Sequence, residues 1–140
     1  MDVTINKEPM KHIITSLALL ALTLAAPAQQ RTESKYFTTQ EGRQTRHDCT
    51  YDTQGRLTDK TLLCKVDDRD DYMPVWRRLY CYDGAMKTME YHTWNPWKRC
   101  FQPIERYVFH EDLDSAYVEY YRWETRKRQW KRQATYGYSL

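Results

Sequence analysis

An aromatic–gap–aromatic signature recurs along this chain at an interval near 30 residues. Tyr80 with Tyr82, Tyr107 with Phe109, and Tyr136 with Tyr138 are each a ring pair two positions apart, and Tyr80, Tyr107 and Tyr136 are separated by 27 and 29 residues. Cys49 and Tyr51 fill the same slot earlier, with Tyr51 lying 31 residues before Tyr82. Side chains at i and i+2 share one face of a strand. A period of this length signals an array of like supersecondary units. A strand with both rings on one face, repeated down the chain, is therefore the unit that the fold has to accommodate.

The turns between these units can be read from their chemistry. After Tyr51 the chain runs Asp52-Thr53-Gln54-Gly55. An Asp side chain accepts hydrogen bonds from amides just downstream, and Gly takes a positive φ without strain, so a strand ends here and runs back. Residues 55–66, 75–83, 84–94, 98–110, 115–124 and 130–140 continue the series, rich in the Tyr, Thr, Trp, Val and Phe that strands favour. The expected fold is all-β: an antiparallel meander of about seven strands built from β-hairpin repeats, as a single-layer or partly closed sheet. A small closed barrel of the same strands is the alternative. Pro103 inside its strand requires a bulge or a sheet edge.

Few large aliphatics are available to fill such a fold. All 12 tyrosines, five tryptophans and three phenylalanines lie beyond residue 28. At roughly 150–250 Å² each, these rings must supply most of the buried area.

Residues 1–28 read as a signal peptide. Lys11 and His12 precede an apolar run from Ile13 to Ala26, and Ala26-Pro27-Ala28 places small residues before a cleavage ahead of Gln29. The run is shorter than the ~20 residues of a membrane span, so no span is expected after cleavage. Residues 1–9 are polar and unlike a signal head, so Met10 reads as the start and 1–9 as an upstream extension. Residues 29–44 read as a flexible N-terminal segment and 45–140 as the β-repeat domain. The location implied is exported, periplasmic or extracellular. In that setting Cys49, Cys64, Cys81 and Cys100 are disulfide candidates, with three pairings open. Four reduced thiols packing as small apolar groups are the alternative.

Tyr51-Asp52-Thr53-Gln54-Gly55-Arg56-Leu57 resembles the tyrosine–aspartate (YDxxGRL) repeat of large bacterial surface and toxin-delivery proteins, which forms strand–turn–strand units. Only this unit matches in full; Tyr82-Asp83-Gly84 is a degraded copy. The whole chain is closer to small exported proteins of Bacteroidetes that carry several W…YxY hairpins and whose domain has no assigned function. That resemblance implies the hairpin architecture and export, and supplies no activity and no catalytic residues.

The candidate ligand-binding residues lie at turns. Trp94 and Trp97 bracket Asn95-Pro96, and Trp123 and Trp130 flank the turn that carries Arg126, Lys127 and Arg128. Exposed Trp faces stack on sugar rings. The competing reading is that these rings cover the sheet and clasp Arg and Lys stems. Six basic residues from Arg122 to Arg132 stand against Glu124 alone. On an exported protein this patch suits an anionic glycan, lipid phosphates or an acidic partner rather than nucleic acid. It also serves as a solvated tip that discourages edge pairing.

Asp67, Asp68, Asp70 and Asp71 lack the ligand spacing of a calcium loop and read as solvated, so no metal and no cofactor is implied. Catalysis has little support: Ser34, Ser115 and Ser139 sit in no nucleophile elbow, and Glu90, Glu105 and Glu119 have no predicted cleft between them. The function expected is therefore a non-catalytic β-repeat module binding glycan or protein at the cell surface. A self-associating structural sheet is the alternative, and a small hydrolase is less favoured still. Oligomeric state is left open.

Overall fold

The computed structural model describes residues 29–139 apart from Asp68, Leu113 and Asp114, and the side chains of Tyr138 and Ser139 fall outside the description as well. The signal peptide expected at residues 1–28 lies outside the described residues. Eight strands follow one another: β1 (Arg31–Thr38), β2 (Gln44–Tyr51), β3 (Leu57–Lys65), β4 (Tyr72–Asp83), β5 (Met86–Asn95), β6 (Cys100–Glu111), β7 (Ser115–Glu124) and β8 (Gln129–Ser139). They form one antiparallel sheet in the order β1 to β8, each strand paired with its sequence neighbour. The sheet is an open meander, so the closed-barrel alternative is set aside.

The eighth strand comes from the segment expected to be a flexible N-terminus. Residues 31–38 pair with β2 along their whole length, from Arg31 opposite Tyr51 to Thr38 opposite Gln44. The turn that joins them explains why. Thr39-Gln40-Glu41-Gly42 repeats the logic of the Asp52 turn: Thr39 Oγ1 accepts the Arg43 amide at 3.1 Å and Gly42 sits at φ 80°.

Strand register sorts the side chains into two faces. Leu62, Trp76, Arg78, Met89, Tyr91, Tyr107 and Tyr120 share one, the aromatic face. Asp59, Arg77, Glu90, His92, Arg106, His110, Glu119 and Arg132 share the other, the charged face. Rings line the first face, but among the described residues neither face is covered and no ring is buried, so the expected aromatic interior does not form. Among the described residues only Cys49, Leu63 and Thr45 are buried, all on β2 and β3. There Tyr36 on β1 and Tyr72 on β4 meet edge to face at 6.0 Å, above Arg46 and Leu63 on the strands between them.

The repeat extends to the backbone irregularities. Register shifts leave Val75, Ile104 and Gln133 without a cross-strand partner in β4, β6 and β8. These bulged residues are spaced 29 apart. Pro74 and Pro103 occupy the position just before a bulge, a place where a sheet tolerates proline. The bulge anticipated at Pro103 is thus one of a periodic set.

An acid–arginine pair on the charged face recurs at a similar interval, the acids 31 and 29 residues apart and the arginines 29 and 26. Asp59 takes Arg77 Nε at 2.9 Å, Glu90 takes Arg106 Nε at 2.9 Å, and Glu119 takes Arg132 Nη1 at 2.9 Å.

Candidate functional site

In a meander, alternate turns lie on the same end of the sheet. One end therefore carries the turns at 39–43, 66–71, 96–99 and 125–128, in that order across the sheet. The last two bring the sequence candidates together.

The β5–β6 turn is held by Asn95, whose Oδ1 accepts the amides of Trp97 at 3.0 Å and Lys98 at 2.9 Å. Asn95 Nδ2 in turn donates to Gln102 Oε1 at 2.9 Å. An Asx turn of this kind fixes the backbone that carries Trp97. The Trp97 ring is 94% exposed.

The other tryptophan candidates are placed differently. Trp94 packs edge-on against Phe101 at 5.1 Å, and Trp123 edge-on against Trp130 at 5.1 Å. Each of these pairs is directly cross-strand at the foot of its turn. The Arg106 guanidinium sits 4.5 Å from the Trp130 ring centroid. Trp94, Trp123 and Trp130 thus pack against the sheet, Trp130 with a cation over its ring, while Trp97 alone of the four presents a free face.

Arg126, Lys127 and Arg128 are exposed on the β7–β8 turn, two strands away. Lys127 Nζ lies 3.5 Å from Glu124. Among the described residues no carboxylate comes within ion-pair distance of Lys98, Arg99, Arg126 or Arg128. Lys98 and Arg99 were not singled out in the sequence, although the 29-residue repeat places them opposite Lys127 and Arg128. Aligning the turns rather than the ring pairs would have found them.

The rim is polarised, because the adjoining β3–β4 loop carries Asp67, Asp70 and Asp71. Of these, Asp70 lies 3.6 Å from Lys65. Among the described residues no group of three or more His, Cys, Asp or Glu side chains is placed to hold a metal ion.

The carboxylates considered for catalysis are all engaged. Glu105 accepts Tyr120 Oη at 2.9 Å and Tyr107 Oη at 3.2 Å. Glu90 is held below its ordinary range first by its hydrogen bond with His92 and then by Arg106. Glu119 is held down first by Arg132 and then by His110. Burial pushes the Tyr107 and Tyr120 hydroxyls up, and Glu105 adds to both shifts.

The depressions in the surface are open. One of about 210 Å³ on the aromatic face is lined by Arg78, Met89, Tyr91, Glu105 and Tyr107. A larger one of about 420 Å³ lies between the first two rim turns, at Glu41–Gln44 and Lys65–Asp67.

The four cysteines considered as disulfide candidates are all unbridged in the structure. Cys49 is opposite Lys60 and Cys64 is opposite Thr45, so these two sit four residues apart along adjacent strands, about 13 Å. Cys81 pairs with Thr88 in mid-sheet and Cys100 stands at the rim opposite Asn95. No two meet the Cα separation of roughly 4.4–6.8 Å that a disulfide needs.

The fold and rim define a class: a single-layer antiparallel meander with an exposed tryptophan and exposed basic residues on two of its turns. No protein-family model matches the sequence, and no curated protein matches it. Solved structures share the architecture. A protein of unknown function from Bacteroides fragilis is 20% identical, with a TM-score of 0.58 over 78% of this chain and 72% of that one. A DUF3836 family protein from Bacteroides vulgatus is 14% identical, with a TM-score of 0.53 over 76% of this chain and 97% of that one. Both come from the Bacteroidetes, the group whose hairpin-repeat proteins the sequence resembles, and at these identities the likeness carries the fold. Among the described residues no helix is long and apolar enough to cross a membrane.

Proposed function

We propose that this chain is an exported, non-catalytic binding module that acts on glycan at the cell surface. The observation that carries the reading is Trp97, a flat apolar ring 94% exposed on a turn locked by two Asn95 hydrogen bonds, beside Lys98 and Arg99, which have no carboxylate partner among the described residues. A ring held that way loses little freedom on stacking against a sugar, so the contact is preorganised. The signal-like segment ending at Ala28 supports export. The open depressions and the engaged carboxylates favour binding over turnover.

The test is a glycan array probed with the purified protein and with Trp97→Ala. Binding lost in the variant, with thermal stability unchanged, supports the reading; a silent array removes it. Cell fractionation with N-terminal sequencing checks export, the expected first residue being Gln29.

A second reading, a self-associating sheet, is favoured by two observations: among the described residues β1 and β8 are unpaired edges and the aromatic face is uncovered. Light scattering decides it, since a monomer at all concentrations removes it.

A further inference from the structure

Two of the rim turns are copies of one another, and they share a costly feature. Trp94, Lys98, Arg99 and Phe101 recur 29 residues later as Trp123, Lys127, Arg128 and Trp130. In both turns the last residue before the returning strand is an arginine in the left-handed region, Arg99 at φ 51° and Arg128 at φ 53°. These are the non-glycine residues with positive φ among those described. The other turns that need that conformation use glycine, at Gly42, Gly55 and Gly84. Glycine relieves the steric conflict that a Cβ creates there. A chain that uses glycine three times and arginine at the two equivalent basic turns has given up backbone stability for a guanidinium, and retained strain of this kind points to a functional demand.

The geometry also sets a spacing. Adjacent strands lie roughly 4.8 Å apart, so the β5–β6 and β7–β8 turns repeat at about 10 Å along the rim. Each presents a Lys-Arg pair outward; Lys98, Arg99 and Arg128 have no carboxylate within ion-pair distance among the described residues, and only Lys127 is shared, with Glu124. Arg126 adds a further cation at the second turn, and Trp97 stands beside the first. The acidic loop at Asp67, Asp70 and Asp71 bounds the row on the β3–β4 side and repels an anion that strays past Trp97.

We infer that the tandem turns Lys98-Arg99 and Lys127-Arg128 form a two-step anion site for a linear acidic polysaccharide whose charged groups recur at intervals of about 10 Å, with Trp97 stacking on a sugar ring. A polymer bearing one carboxylate or sulfate on every second sugar fits this description. Guanidinium groups suit it because they bind carboxylate and sulfate oxygens through paired N–H donors. The inference rests on the glycan reading above and names the ligand class for it.

The experiment is calorimetric titration of the purified protein with hyaluronan oligosaccharides, which carry a carboxylate on every second sugar. A neutral cello-oligosaccharide and anionic phospholipid vesicles serve as comparison probes. Arg99→Gly and Arg128→Gly are each expected to weaken hyaluronan binding about tenfold, and the double variant more. Their melting temperatures should stay level or rise, because glycine relaxes the positive φ. Arg43→Gln, on the first rim turn, should leave the affinity unchanged.

Unchanged affinity in the double variant overturns the inference, as does a drop in melting temperature without a drop in affinity. Binding to the vesicles without binding to hyaluronan overturns it in favour of a lipid surface. Equal binding of the neutral and acidic sugars overturns it while leaving the glycan reading intact. Failure of both sugars removes the two together.

Discussion

Arg106 on β6 reaches across β7 to place its guanidinium 4.5 Å from the centre of the Trp130 ring on β8, while its Nε donates to Glu90 on β5 at 2.9 Å. One side chain on β6 thus links β5 to β8 in a sheet that has no covering layer among the described residues. Arg106→Ala removes the cation–π contact and leaves the half-buried Glu90 with His92 alone, a loss of about 1–2 kcal/mol. Thermal denaturation of Arg106→Ala, Trp130→Leu and the double variant should return a coupling of about 0.5–1 kcal/mol between the two.

The Asp52 turn makes a separate prediction. Asp52 Oδ1 accepts the Gln54 and Arg56 amides, each at 2.9 Å, and Oδ2 accepts Arg56 Nε at 2.8 Å. Gly55 in the same turn sits at φ 77° with open space where a Cβ would go. Gly55→Ala therefore meets backbone strain without a clash and should cost about 1 kcal/mol. Asp52→Ala should lower the melting temperature and speed hydrogen exchange at the Gln54 and Arg56 amides, leaving the rim turns at the opposite end unaffected.

Stability should fall with acid in two stages. His47, beside Phe37 at 4.9 Å and Trp76 at 6.3 Å, is pushed below its ordinary value by burial and then by Lys60. A histidine with a depressed folded pKa contributes stability that is whole above about 6.5 and is lost as pH falls through the folded value. Glu90 and Glu119, also depressed, contribute stability that is whole above about 4.3 and is lost below it. Melting temperature against pH should show both losses on descent, and His47→Gln should erase the first while keeping the second.

The thiols give a chemical readout. Alkylation of the unreduced, denatured protein should add four labels, one on each of Cys49, Cys64, Cys81 and Cys100. In the native protein the exposed Cys81 and Cys100 should react first and Cys49, only 6% exposed, last. Two labels or none in the unreduced protein would restore the disulfide expectation.

The strands and their turns were legible where side-chain chemistry announces geometry. Tyr51, Asp52 and Gly55 mark a strand end and its turn, and Pro103 marks a bulge because it has no amide to donate. Val75 and Gln133 bulge at the same beat with nothing in their side chains to say so. β1 was missed because Arg31–Thr38 is polar but for Tyr36 and Phe37 and precedes the first ring pair; its strand character comes from pairing with β2, a tertiary effect. At the rim, Trp97 and the basic run stood out by composition. That Trp94, Trp123 and Trp130 turn inward follows from cross-strand register, which single-residue reading does not supply. The left-handed arginines were invisible, because Arg is not a residue expected at positive φ.

The central claim is that the tandem basic turns and Trp97 are the ligand surface of the sheet. The most direct measurement is a backbone amide NMR titration of labelled protein with hyaluronan hexasaccharide. The account predicts shift changes concentrated at residues 97–99 and 126–128, with the Asp52 and Gly84 turns at the far end unmoved. Changes centred on the aromatic face around Tyr91 and Tyr107, or no saturable change at all, would contradict it.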